Sequence, residues 1–160
     1  MWLQSAYKAG HSTETALLCV QNYILLDLDK RRGVILVLLD LSAAFDTIDH
    51  DLLLRRLADK LGITGVAYAL FKFYLSGRSQ VIYIDKETSS LVILIFGVPQ
   101  GSVLGPLLFL MYVNDIADNL LSLTRLYADD SSLYYSAPTV DAIEGIINHD
   151  LNIISQWAKQ

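Results

Sequence analysis

The sequence predicts an α+β fold in which helices back a small antiparallel sheet. Three observations predict it. A short, partly β-branched apolar run stands at Val34–Leu39, two pairs of strand-like segments flank turn residues, and amphipathic helical spacing recurs towards both ends of the chain. In chain order, Ser12 can cap a helix running to about Lys30, with Glu14 and Thr15 in its first turn and Leu17, Val20, Ile24 and Leu28 on an apolar stripe. Gly33 ends that segment. Val34–Leu39 is too short for a typical helix, is apolar on both faces and reads as a buried central strand running directly into Asp40. A helix from about Asp51 carries Leu54, Leu57, Ala58 and Leu61 on one side and closes at Gly62. Thr64 opens another, with Val66, Leu70, Phe73 and Tyr74 facing the core, and Gly77 stops it. Val81–Asp85 and Leu91–Gly97 flank residues 86–90 as a hairpin. A helix follows from about Leu104 to Asp115, and Thr124–Ala128 and Ser132–Ser136 then bracket Asp129-Asp130 as a second hairpin. Thr139 caps a last helix with Ile143, Ile147, Leu151, Ile154 and Trp157 inward. No repeat, linker or charge block divides the chain, which reads as one continuous unit.

The 160 residues fit one domain or a piece of a larger one. A composition 53% hydrophobic and 18% charged, with 3 Pro and 9 Gly, excludes a disordered tail, a collagen-like repeat and a low-complexity linker. Cys19 is the single cysteine, which excludes an internal disulfide framework and any zinc site built on several thiolates, and favours an intracellular setting. His11, His50 and His149 are far apart in sequence and suggest no histidine-based metal site. The longest apolar stretches, Val34–Leu39, Leu91–Phe96 and Leu107–Val113, fall well short of the ~20 residues a spanning helix needs. Met1–Lys8 lacks the charged-then-apolar order of a signal peptide. The expectation is a soluble chain with no membrane partner, and one so apolar that it suits a fragment whose partner surfaces are missing. The net charge of −5, from 17 acidic and 12 basic residues, weighs against a stand-alone nucleic-acid binder, because such affinity comes mainly from Lys and Arg on phosphates.

Three segments can carry chemistry. Asp129-Asp130 between strands is, taken alone, an ordinary solvated turn. Its flanks are Leu126 and Tyr127 before and Leu133 and Tyr134 after, which place it at the lip of a buried sheet. Asp40 directly follows a buried strand, so its carboxylate must be paired, metal-bound or exposed at the sheet end; a helix cap is the plain alternative. If the two lie on neighbouring strands, three carboxylates converge at one edge, and Mg²⁺ would relieve their repulsion. Two such ions can clamp the attacking and leaving oxygens of a phosphoryl displacement. The third segment, Gly97–Pro106, is at least a strand-to-helix connection with Ser102 as cap. Its glycines also let backbone approach a ligand, and Gln100 offers an amide to a sugar or base.

In order along the chain, these are Leu39-Asp40-Leu41-Ser42-Ala43-Ala44-Phe45-Asp46-Thr47-Ile48-Asp49-His50, then Gly97-Val98-Pro99-Gln100-Gly101-Ser102-Val103-Leu104-Gly105-Pro106, then Tyr127-Ala128-Asp129-Asp130. Together they resemble a reverse transcriptase, specifically the RNA-directed DNA polymerases of non-LTR (LINE-type, jockey-like) retrotransposons. Gln4–Lys8 followed by His11–Thr15 resembles the finger segment of the same family. The resemblance covers essentially the whole chain, and the order of four motifs makes it specific. It implies the fingers–palm core of a right-hand polymerase, with residues 1–33 a fingers remnant and 34–160 mainly palm, carrying a fingers-side insertion around 62–98. By resemblance, Asp40, Asp129 and Asp130 match the catalytic, metal-binding aspartates, and Leu41 the position whose carbonyl helps hold metal. Phe45 matches the aromatic gate that excludes a ribose 2′-hydroxyl, Gln100 and Gly101 the loop lining the nucleotide pocket, and Lys8 the basic position meeting the triphosphate. Arg78 matches either a template-phosphate contact or a solvated turn arginine, and Asp46 and Asp115 read as structural. The implied cofactors are two Mg²⁺ ions, with Mn²⁺ as the alternative. The implied partners are an RNA template, a DNA primer and dNTPs.

The sequence departs from the family at Ala9, where proline is frequent, and nothing in it matches the primer grip, thumb or endonuclease. The expectation is therefore a truncated polymerase core, weakly active or inactive alone, which leaves cationic nucleic-acid contacts to segments outside the chain. A different class of reading is a non-catalytic retrotransposon remnant serving as an interaction module. An RNA-making palm polymerase fits less well, because those usually carry Gly-Asp-Asp where this chain has Ala128-Asp129-Asp130.

Overall fold

The computed structural model describes residues 4–41, 43–99 and 101–159. Its elements are α1 (Thr13–Asp29), β1 (Gly33–Asp40), α2 (His50–Asp59), α3 (Gly65–Leu75), β2 (Ser79–Gln80), β3 (Tyr83–Ile84), β4 (Glu87–Thr88), β5 (Val92–Ile93), α4 (Leu104–Val113), β6 (Leu123–Tyr127), β7 (Asp130–Ala137) and α5 (Val140–Trp157). Helices mix with small antiparallel ladders, the α+β class expected. The chain forms two compact units, Met1–Ser42 with Asn114–Gln160 and Ala43–Val113. Among the described residues, no helix is long and apolar enough to cross a membrane.

The first unit is built on an antiparallel sheet of three strands in the order β1-β7-β6. This corrects the expected central position of Val34–Leu39: β7 is the middle strand and β1 an edge. The run is apolar on both faces, yet successive residues of a strand point to opposite sides and only one side packs into the core. On that side Ile35, Val37 and Leu39 pack with Leu133 and Ala137 against Ile143, Ile147, Leu151 and Ile154 of α5. On the other side Leu38 is 74% exposed.

Helix α1 covers part of that second face. It starts at a reciprocal cap in which Ser12 Oγ accepts from the Thr15 N–H and Thr15 Oγ1 accepts from the Ser12 N–H. It ends in a clamp on β7, where the Asp27 carboxylate accepts from Tyr134 Oη and Ser136 Oγ, each at 2.7 Å. The Tyr134 and Ser136 hydrogen bonds hold the Asp27 carboxyl at about 2, below its ordinary 3.8. Its contribution to stability is therefore present above the ordinary carboxylate range and lost as pH falls from about 4 to 2. Asp27→Asn should lower the melting temperature at neutral pH and flatten its dependence on pH across that window. Thermal melts at a series of acid pH values check this, and an unchanged acid profile would remove Asp27 from the clamp.

At the same end of the sheet, α5 is tied down by Asp150, which is fully buried. Its carboxylate accepts from the Leu121 N–H at 3.0 Å and the Ser122 N–H at 2.7 Å, just before β6, and lies 3.0 Å from His149 Nδ1. Asp115 accepts from Trp157 Nε1 at 2.8 Å.

In the second unit α2 packs on α4, burying Leu53, Leu54 and Leu57 on one helix and Leu108, Phe109 and Val113 on the other. Helix α3 corrects a second expectation, because Val66, Leu70 and Phe73 are exposed and Leu75 is its buried residue. The helix is apolar around most of its circumference, so spacing alone could not choose its inner face. The hairpin expected across residues 86–90 is two short ladders, β2 with β5 and β3 with β4. Its tight turn begins at Asp85, whose φ of 53° lies in the left-handed region that Asp tolerates better than most residues.

Candidate functional site

Strand β1 ends at Asp40 and β7 begins at Asp130, and the two are direct cross-strand partners. Directly opposed residues share a face of the sheet, so the ladder puts these two carboxylates side by side. Tyr127 pairs with Asp130 on the other edge of β7, leaving Ala128 and Asp129 as the loop between β6 and β7. Asp40 and Asp130 are exposed and Asp129 is half-buried. Among the described residues, no Lys or Arg forms an ion pair with any of the three. Like charges directly opposed in a ladder are destabilising, so a cation bound between Asp40 and Asp130 would relieve their repulsion.

The expected convergence of three carboxylates takes a looser form. Among the described residues, no three His, Cys, Asp or Glu side chains group closely enough to hold a metal ion. The reason is local: Asp129 and Asp130 are adjacent, and only Asp130 sits in the ladder opposite Asp40. An opposed pair of hard oxygen donors still fits Mg²⁺ or Mn²⁺, since Mg²⁺ is usually held by one or two carboxylates plus substrate phosphates. Leu41, the expected carbonyl ligand, follows Asp40 and is half-buried.

A cleft of about 390 Å³ in the same unit reaches the pair, lined by Val20, Leu38, Asp40, Arg125, Tyr127 and Asp130 among others. Its walls are mainly apolar. Arg125 is the cation in the lining, and its guanidinium donates to Tyr23 Oη at 3.1 Å. Lys8 belongs to this unit and is exposed.

Phe45 and Gly101 belong to the second unit, and Gln100 lies outside the described residues. The Phe45 ring stacks on Phe109, centroids 4.5 Å apart, and its carbonyl accepts from the Val98 N–H at 2.8 Å. The Gly97 N–H donates to Ile48 O at 2.8 Å, and His50 Nε2 lies 2.6 Å from Gly97 O, where it must carry the proton because a carbonyl only accepts. The two sequence motifs at 43–50 and 97–106 are thus hydrogen-bonded to each other. Gly97 is required there: its φ is 82°, and a Cβ would stand 3.0 Å from Asp46 O. Ser102 Oγ accepts from the Gly105 N–H at 2.9 Å, serving the start of α4 as expected. Gly101 has open space around it. Arg78 donates through Nε to Tyr74 O at 2.8 Å, closing α3, and lines a cavity of about 570 Å³ with Asp46, His50, Gln80 and Phe96.

One residue of the first unit was not singled out by sequence reasoning. The Gln4 side chain hydrogen-bonds the backbone of Ala128 in the Asp129 loop. The partners are 124 residues apart, so no local pattern announces the contact.

The sequence over residues 3–160 matches the family described as reverse transcriptase (RNA-dependent DNA polymerase), and the chain belongs to that family. It is 30% identical, across 98% of its length, to the probable RNA-directed DNA polymerase from transposon BS of Drosophila melanogaster. It is similarly 33% identical to the probable RNA-directed DNA polymerase from transposon X-element and 29% identical to the RNA-directed DNA polymerase from mobile element jockey, both of the same species. The jockey-like retrotransposon resemblance of the motifs is thus met by relatives of that kind. The chain spans 18% of the length of each of these curated relatives.

Proposed function

We propose that this chain is the fingers–palm core of an RNA-directed DNA polymerase, and that the larger protein it serves extends a primer 3′-hydroxyl with deoxynucleotides on an RNA template. The reaction is attack of that hydroxyl on the nucleotide α-phosphate, with pyrophosphate leaving. The observation that carries this reading is the direct opposition of Asp40 and Asp130 next to the Asp129 loop, in a chain of the reverse transcriptase family. Asp40, Asp129 and Asp130, with the Leu41 carbonyl, are the groups that would hold two Mg²⁺ ions or Mn²⁺. When bound, such ions neutralise charge on the phosphates and on the attacking and leaving oxygens. The chain's own part is mostly positioning, since the chemistry requires near-contact geometry between hydroxyl and phosphate. In this reading Lys8 meets the triphosphate, Gln100 and Gly101 line the nucleotide pocket, and Phe45 stands against the sugar. The thumb, and any endonuclease, belong to other segments of the parent protein. With a net charge of −5 the 160 residues alone retain template–primer poorly and extend it weakly or not at all.

Primer extension on an RNA template by a parent protein carrying this domain tests the reading. Mg²⁺-dependent DNA product is expected. Binding without extension would favour the non-catalytic interaction module, and an RNA product would point to another polymerase class. In the same assay Phe45→Ala should raise ribonucleotide incorporation roughly ten- to hundredfold, the range over which a small change in pocket size discriminates. Unchanged sugar selection would return Phe45 to a packing role on Phe109.

A further inference from the structure

The loop that carries Asp129 is held in a conformation its own sequence does not favour. Ala128 has a φ of 54°, in the left-handed region where a Cβ crowds the backbone. Both backbone polar groups of this alanine are taken by one distant side chain. Gln4 Oε1 accepts from the Ala128 N–H at 3.0 Å, and Gln4 Nε2 donates to the Ala128 carbonyl at 3.2 Å. The same Oε1 accepts from the Ala6 N–H at 2.9 Å. Two N–H groups converging on one atom identify it as the oxygen and fix which way the amide faces. The backbone beneath it is fixed as well. Gln4 bridges Leu126 in parallel, the Ser5 N–H donates to Leu126 O at 2.9 Å, and Ala6 is buried. The Gln4 amide therefore pairs with Ala128 as a peptide group of a neighbouring strand would, one step beyond the end of β6.

We propose that Gln4 is a positioning residue: it holds the Ala128 loop in its left-handed form and so sets where Asp129, the next residue, presents its carboxylate. Gln4 acts through Ala128 and not on substrate. The inference deepens the proposed function and rests on it for the role of Asp129, whereas the hold of Gln4 on Ala128 is measured separately. The chemistry demands both a donor and an acceptor on one planar group. Glutamate keeps the acceptor but sets an oxygen against the Ala128 carbonyl, and methionine keeps the length and loses both bonds. Glycine at position 128 removes the cost of the left-handed backbone, and with it the need for the hold.

The test measures amide hydrogen exchange and Mn²⁺ affinity, the latter from the spectrum of free Mn²⁺, in the full chain and in Gln4→Met, Gln4→Glu, Ala128→Gly and the Gln4→Met/Ala128→Gly double variant. Both Gln4 variants should speed exchange of the Ala128 N–H at least about tenfold while α5 amides stay protected, showing an intact fold. Mn²⁺ affinity should fall several-fold in Gln4→Met and recover in the double variant. An Ala128 N–H still protected in Gln4→Met, or an equal loss of affinity in the alanine and glycine backgrounds, would overturn the proposal. If the wild type shows no Mn²⁺ binding that Asp129→Asn removes, the metal reading of the site fails. Exchange at Ala128 then decides alone whether Gln4 holds the loop.

Discussion

Asp40→Asn and Asp129→Asn should each slow RNA-templated primer extension by about a thousandfold or more, with much smaller changes in KM for the nucleotide. Asparagine preserves size and backbone preference but cannot carry the charge that a divalent ion requires. Metal-ion stabilisation of a phosphoryl transition state amounts to several kcal/mol, and each ~1.4 kcal/mol is a factor of ten in rate. Single-turnover extension by the parent protein separates this loss from substrate binding. A reduction of less than tenfold in both variants would take these carboxylates out of the chemistry. The sheet supplies the reason to expect an effect through Asp40: it stands opposite Asp130 with no described cation paired to either, so its charge is left available.

The largest effect on stability should come from a residue far from that edge. Asp150→Ala should destabilise the fold by about 3–5 kcal/mol, because it strips a buried acceptor from the N–H groups of Leu121 and Ser122 at once. Asp150→Asn keeps one oxygen and should cost less than the alanine variant. Burial alone would push the Asp150 carboxyl up, but hydrogen bonds from Ser122, Leu121 and His149 outweigh it and hold the carboxyl below its ordinary value. A depressed carboxyl contributes stability that is complete above the unfolded carboxylate range, near pH 4, and disappears as pH falls below it. Urea unfolding at neutral and acid pH checks both statements. A loss under about 1 kcal/mol for Asp150→Ala at pH 7 would show that water replaces the carboxylate freely.

Local signals carried the sequence reading a long way. Ser12 and Thr139 cap the helices they were expected to cap, and Ser102 serves the start of α4. The strand ending at Asp40 lies where the residue pattern put it, and the second hairpin is present with its turn one residue earlier than expected, at Ala128-Asp129, so that Asp130 opens β7. Each of these depends on residues within a few positions of one another. What the sequence hid depends on partners chosen at long range. Val34–Leu39 is equally apolar on both faces, so its composition could not reveal that β7 would take the centre of the sheet. Helix α3 is apolar nearly all round and gave no sign of which side would stay exposed. Asp150 resembles any acidic residue on a helix until the chain between α4 and β6 folds over it. Gln4 is a single polar residue near one end of the chain, and its side-chain partner is the distant backbone of Ala128. The resemblance of motifs, by contrast, identified the family because the aspartates, the glycine-rich loop and their order are local and specific.

The most direct measurement of the central claim is anomalous diffraction from crystals of this protein grown with Mn²⁺ and a deoxynucleoside triphosphate. The Asp40–Asp130 edge should carry an anomalous peak in contact with carboxylate oxygen, and Asp40→Asn should abolish it. Mn²⁺ bound elsewhere with none at that edge, or a peak that survives in Asp40→Asn, would contradict the assignment of this sheet edge as the metal site of a polymerase.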